Sequence, residues 1–341
     1  MGPFFRRIYR AVKGWSTSVH SGGIISAAMA YFAWTPVMLS ILWFGLVAGL
    51  TSTLQQVTDF GINPTNVGMF VYVPTNITAT PAVVVAIHDC NGTAQTYLTS
   101  TPYAQFADTY GFIVVYPNST NAGSCWDVRS NATLTHNGGG DSQGIASMVG
   151  YAISTYSADP TRVFVTGTAS GGTMTNILCA VYPDLWRAAS AYSGAAAGCF
   201  VNTSSDAGAF CTPDDIIMDG SYWVPLVRAM NPGYTGAYPP ISVWYGETNF
   251  FNAYLTSYGL QSLEEWAGIF EYDTNEYQAL GFNGYQKQIY GPNLQTNFDY
   301  DEVDPLPVHG DEDMAWFGID PSLAPPVLPP PPPPPPVQHF G

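Results

Sequence analysis

In Arg162-Val163-Phe164-Val165-Thr166-Gly167-Thr168-Ala169-Ser170-Gly171-Gly172, a run of β-branched and aromatic residues gives way abruptly to glycines. Residues 162–166 predict a strand, bounded by the turn residues that follow. Residues 170–181 carry a helix-like pattern of apolar positions. A strand, then Gly-x-x-x-Gly, then a helix is the context of a nucleophile elbow, a turn that lifts one side chain above a sheet edge. Glycines flank such a turn because the backbone passes too close to its neighbours for a β-carbon.

Working outward, residues 69–73, 82–87, 112–116 and 241–245 are further short β-branched and aromatic runs. Helix-like stretches at 102–110, 142–156 and 260–270 lie between or after them. Strands alternating with helices predict an α/β domain, with a mostly parallel sheet and helices on both faces. Ligands of such sheets sit beyond the carboxyl ends of the strands. The segments after the strands are accordingly the informative ones: His88-Asp89-Cys90-Asn91-Gly92, the loop to Cys125-Trp126-Asp127, the glycine turn at 167–171, and Gly246-Glu247-Thr248-Asn249.

The chain has 341 residues, with 25 acidic against nine basic side chains and a net charge of −16. Hydrophobic residues make up 46%, enough for a large core and against intrinsic disorder. Nucleic acid is excluded as a partner, since phosphate binding needs clustered Lys and Arg. Four of the nine basic residues, Arg6, Arg7, Arg10 and Lys13, precede everything else. An acidic body of this kind repels polyanions and tolerates neutral polymers.

Residues 1–52 form a basic N-terminus and an apolar segment, 53–320 the predicted domain, and 321–341 a proline-rich tail. The uncharged run at 22–50 is long enough to cross a bilayer. Pro36 divides it, and the stretch from Met38 has the character of a short export signal. Cleavage predicts a secreted protein, with translation starting at Met1 or Met38. Retention of 22–50 predicts a membrane anchor with the domain outside the cell. Five Asn-x-Ser/Thr sequons, at Asn76, Asn91, Asn118, Asn131 and Asn202, lie beyond the run, as export requires. Five cysteines leave one unpaired, and Cys179, in a buried-helix pattern, is the expected odd one. Cys199 and Cys211 are close enough in sequence to close a loop. The tail, with prolines from 329 to 336, is a stiff extended segment.

Many separated segments between residues 53 and 319 resemble a known family. Among them are Val57-Thr58-Asp59-Phe60-Gly61, Gly92-Thr93-Ala94-Gln95, Cys125-Trp126-Asp127-Val128, Leu134-Thr135-His136-Asn137-Gly138-Gly139-Gly140-Asp141-Ser142, Tyr192-Ser193-Gly194 and Trp316-Phe317-Gly318. The chain is similar to fungal carbohydrate esterase family 1, the acetylxylan and feruloyl esterases related to polyhydroxybutyrate depolymerases. The resemblance implies an α/β-hydrolase fold, no cofactor, a monomer, and acylated xylan of the plant cell wall as substrate or ligand. It implies the disulfides Cys90–Cys125 and Cys199–Cys211, oxyanion donors at Cys90 and Ser170, and Trp126 against the substrate. A further cysteine of the family falls on Ala267.

Such enzymes need a serine nucleophile, a histidine base and an aspartate that orients the histidine. Here the three positions read Ala169, Asn249 and Asp304. Loss of a triad serine or histidine costs on the order of 10⁶ in turnover in the best-studied case. The residues therefore predict an impaired or inactive esterase, or a noncatalytic polysaccharide-binding protein of the same fold. Ser170 replaces the nucleophile only if the turn slips by one residue. His309 lies five residues past the matched histidine position, and His88 and His136 stand in segments that match the family unchanged. The acidic groups at 299–304 and 311–313 read as a solvated face, and no zinc or dinucleotide spacing appears, so no metal is expected.

Overall fold

A computed structural model of the protein describes residues 50–201, 211, 217–246, 253–282, 284–299, 306–320 and 322. The apolar segment before Leu50 and nearly all of the proline tail lie outside the described residues, as do Asn202, Asn249 and Asp304. Among the described residues no helix is long and apolar enough to cross a membrane.

The chain runs β1 (Gln55–Val57), β2 (Gly68–Tyr72), β3 (Val83–Ile87), α1 (Ala94–Ser100), α2 (Tyr103–Tyr110), β4 (Ile113–Asn118), α3 (Asp141–Tyr156), β5 (Val163–Thr168) and α4 (Ser170–Val181). It continues through β6 (Ala188–Tyr192), α5 (Gly220–Met230), β7 (Ile241–Gly246), α6 (Ala253–Phe270), β8 (Gln278–Gly281), β9 (Tyr285–Tyr290), β10 (Leu294–Asp299) and α7 (Gly310–Trp316). All ten strands join one sheet in the order β1-β2-β4-β3-β5-β6-β7-β10-β9-β8. The central strands β4-β3-β5-β6-β7-β10 are parallel, and the outer ones at both edges are antiparallel. The α/β architecture expected from the alternating pattern is present.

Parallel strands need covering on both faces, and the side-chain alternation shows how this is met. Val83, Val85, Val163 and Val165 point into a cluster with Met148 of α3, Ile177 of α4, Trp223 of α5 and Trp266 of α6. Val84, Ala86, Phe164 and Ala188 point the other way, onto Tyr97 of α1, Tyr103 of α2 and Met314 of α7. Chain order reverses at β3, whose neighbours are β4 and β5. A crevice opens at such a switch point, beyond the carboxyl ends of the strands.

The five strands read from sequence are present with ends within two residues, β4 extending to Asn118 and β5 to Thr168. Helix α6 starts at Ala253, well before the expected 260. Helix α5 carries Pro225 in its interior, which hid it from a pattern search.

Candidate active site

The elbow is built where the sequence places it. Strand β5 ends at Thr168, Ala169 adopts φ 53° and ψ −114°, and α4 begins at Ser170. That backbone conformation is unfavourable for a residue with a β-carbon, by roughly 1–3 kcal/mol. It is held on both sides: the Ala169 N–H donates to the Tyr192 carbonyl at 2.9 Å, and the Ala169 carbonyl accepts from the Thr173 N–H at 2.9 Å. A β-carbon on Gly167 would lie 2.4 Å from the Gly171 carbonyl oxygen, and one on Gly171 would lie 2.3 Å from that of Ile87. Both glycines are thus required by contact with backbone. Residue 169 is the apex, and the side chain it presents is a methyl group.

Ser170 is the first residue of α4, and its Oγ is buried without a hydrogen-bond partner among the described residues. Its N–H belongs to the first turn of a helix, where donors have no intrahelical acceptor and favour an anion. The loop after β3 packs against this turn: a β-carbon on Gly171 would also lie 2.6 Å from the His88 carbonyl oxygen. Cys90 in that loop is bonded to Cys125, and Cys199 to Cys211. Cys179 is free and fully buried, and burial pushes its thiol well up.

His88 is buried, with Nδ1 2.6 Å from the Asp89 carbonyl and Nε2 accepting the Ser119 N–H at 3.1 Å. Burial lowers its pKa, so the ring is neutral and its proton sits on Nδ1. Both nitrogens are occupied in holding two loops. The Trp126 indole N–H donates to the His88 carbonyl at 2.8 Å, and its ring is 3% exposed. The ring packs in the main core cluster beneath the loops. His136 bonds to the Val181 carbonyl, at the end of α4 remote from the elbow.

A model of the family described as esterase PHB depolymerase matches residues 68–227. Probable acetylxylan esterase A of Neosartorya fischeri is 47% identical over 275 residues, covering 79% of this chain and 74% of the relative. Acetylxylan esterase A of Aspergillus ficuum is 44% identical over 279 residues, covering 80% of this chain and 91% of the relative. The solved acetyl xylan esterase from Aspergillus awamori superposes with a TM-score of 0.75 at 44% identity, over 79% of this chain and all of that one. The chain belongs to the acetylxylan esterase A family. The α/β-hydrolase fold of this family is the one observed.

Asn249 and Asp304, onto which the resemblance places the acid and the histidine of the triad, fall outside the described residues. The strands that lead to them are described: β7 ends at Gly246 and β10 at Asp299, paired in register at the same sheet edge that carries the elbow. An acid–base pair that sequence reasoning did not join stands at this edge. His309 Nε2 lies 3.2 Å from Asp299 Oδ2, and the ring stacks on Trp244. A sequence separation of ten residues hides the pair from any local pattern. His309 caps α7, and its carbonyl accepts from the Tyr192 hydroxyl at 3.3 Å.

Deeper under α7, Asp313 is fully buried and accepts from the Tyr103 hydroxyl at 2.6 Å. Tyr103 also reaches Thr166 of β5 at 2.9 Å, and Tyr97 reaches Thr168 at 2.8 Å. Burial pushes the Asp313 carboxyl from 3.8 to about 7. Among the described residues no group of three or more His, Cys, Asp or Glu is placed to hold a metal ion.

Proposed function

We propose that this member of the acetylxylan esterase A family is an exported protein that engages acylated xylan and has lost the acyl-enzyme route. The observation that carries this reading is the methyl group of Ala169 at the apex of a fully built elbow. Without a nucleophilic oxygen there, the oxyanion donors at Cys90 and Ser170 have no tetrahedral intermediate to stabilise. Orientation and oxyanion binding alone leave about 10³–10⁴ over water. The turn keeps its full backbone geometry without its nucleophile, which supports a noncatalytic role for this end of the sheet. Two closed disulfides favour an oxidising compartment, in line with the export segment and the sequons. The domain acts as a monomer, released by cleavage or held at the surface by residues 22–50.

Hydrolysis of 4-nitrophenyl acetate and of acetylated xylan tests the catalytic part. Negligible turnover is expected from the wild type, with recovery only when Ala169→Ser, Asn249→Asp and Asp304→His are combined. Brisk wild-type hydrolysis abolished by Ser170→Ala would overturn the reading in favour of a slipped elbow. Retardation of the wild type in a gel containing xylan tests the binding part.

A further inference from the structure

We propose that the exposed ring of Phe282, in the hairpin between β8 and β9, is a stacking subsite for one pyranose of a neutral polysaccharide chain. The inference rests on the polysaccharide-binding reading above and names a contact for it outside the elbow. Among the described residues, Phe282 and Tyr277 are the two exposed large aromatic side chains, at 44% and 46%. Trp126 is 3% exposed, so its ring has no face to offer a sugar.

Phe282 is joined to the elbow's edge of the sheet by a run of ring contacts. Its ring stacks on that of Tyr285, with centroids 4.9 Å apart and planes 9° from parallel. Tyr285 packs on Trp244 at 5.1 Å and on His309 at 5.2 Å, and Trp244 stacks on Tyr192 at 5.3 Å. The Tyr192 carbonyl in turn accepts the Ala169 N–H. Strand register places the run at the same edge: Tyr285 stands opposite Asp299, and Asp299 opposite Gly246, the last residue of β7. Tyr277 packs on Tyr290 instead. Residues 285 and 290 are an odd number of positions apart on β9, so they face opposite sides of the sheet, and Tyr277 stands outside the run.

The Phe282 ring is held in place before any ligand arrives. The Phe282 N–H donates to the Tyr285 carbonyl at 2.9 Å, the Tyr285 hydroxyl donates to Glu312 of α7, and Lys287 pairs with the same carboxylate. An aromatic side chain already fixed by its neighbours loses little freedom on binding. Its face carries partial negative charge, which attracts the partly positive C–H groups on one side of a pyranose. The rim selects against charged sugars. Burial, the hydrogen bond to Glu312 and the charges of Glu312 and Asp311 all raise the Tyr285 pKa, so both carboxylates face this rim. Against them stands the Lys287 ammonium, 5.2 Å from the Phe282 centroid. An acidic rim on an acidic chain repels a uronic-acid polymer and leaves the uncharged main chain of xylan free to approach.

Retardation in gels containing soluble xylan is compared for the wild type, Phe282→Leu, Phe282→Trp and Tyr277→Leu, with the urea midpoint of each as the check on folding. Leucine keeps an apolar side chain without an aromatic face, and tryptophan enlarges the face. Phe282→Leu is expected to weaken binding about two- to tenfold, with Phe282→Trp as strong as the wild type or stronger and Tyr277→Leu unchanged. Equal retardation of the wild type and Phe282→Leu would overturn the subsite and leave the polysaccharide reading standing. A wild type that xylan does not retard would overturn both. On the wild type alone, a xylo-oligosaccharide is expected to show upfield ring-current shifts of its C–H protons, and their absence would overturn the stacking. Stronger retardation by polygalacturonate than by xylan would overturn the neutral ligand.

Discussion

The imidazole of His309 lies flat on the indole of Trp244, with ring centroids 4.4 Å apart and planes 7° from parallel. The same indole stacks on Tyr192 with ring centroids 5.3 Å apart, and Asp299 holds the imidazole edge. The three rings tie the start of α7 to β6 and β7, beside the edge that carries the elbow. Stacked aromatic pairs contribute about 0.5–1.5 kcal/mol beyond their buried area, and a hydrogen bond to a charged group about 1.5–3.

Replacing His309 by alanine is therefore expected to lower stability by about 2–3 kcal/mol in urea unfolding. His309→Phe keeps the stack and loses the contact with Asp299, so a smaller loss is expected. Equal losses in the two variants would show that the stack contributes nothing.

The elbow disfavours a β-carbon at two nearby positions, one of which carries it. At residue 169 the positive φ penalises a β-carbon, so Ala169→Gly removes strain while adding unfolded-chain entropy of about 0.5–1 kcal/mol. Stability is expected to hold or rise slightly. At residue 171 a β-carbon would meet the Ile87 carbonyl oxygen at 2.3 Å, so Gly171→Ala is expected to cost about 3 kcal/mol or more. Thermal unfolding of the two variants checks the contrast.

Asp313 makes stability depend on pH in a defined direction. Its folded pKa of about 7 exceeds the ordinary 3.8 because burial penalises the charge. Below about pH 4 the carboxyl is protonated in both states and its contribution is fully present. As pH rises through 7 the unfolded chain releases the proton more readily, and that contribution is lost. The shift corresponds to a loss on the order of 4 kcal/mol. Relative to Asp313→Asn, the wild type should weaken steadily between about pH 4 and 7 and no further above. A pH-independent difference in urea midpoint between the two proteins would contradict this.

The disulfides close loops of different length, with sequence separations of 35 for Cys90–Cys125 and 12 for Cys199–Cys211. Loop-closure entropy gives about 4 kcal/mol for the longer and about 3 for the shorter. Pairwise replacement by alanine is expected to destabilise in that order, measured by guanidinium unfolding.

The central strands were legible because they are buried on both faces. Val83–Ile87 and Ile113–Asn118 are nearly unbroken apolar runs that announce themselves in any window. Strand β6, Ala-Ala-Ser-Ala-Tyr, has little β-propensity of its own and is held by its neighbours β5 and β7. Strands β9 and β10 are rich in Gln, Asn and Thr, and pair on side-chain bonds such as Asn297 to Ser242 at 2.9 Å. Helix α7 opens with Gly310 and three consecutive acids, which read as a solvated face. The structure places Asp313, the third of these, in the core against Tyr103.

The glycine spacing around residue 169, the alanine at its centre and the cysteine complement are properties of local chain chemistry, and the amino-acid sequence by itself determined them. A tight turn and a missing nucleophile need no knowledge of distant partners. The association of His309 with Asp299 and Trp244, the depth of Asp313, and the engagement of Asn118 by the Ala94 N–H were decided only by the tertiary structure. Each depends on strands and helices far apart in the chain arriving at one sheet edge. Burial and hydrogen-bond supply are set by that arrival, and no local pattern encodes them.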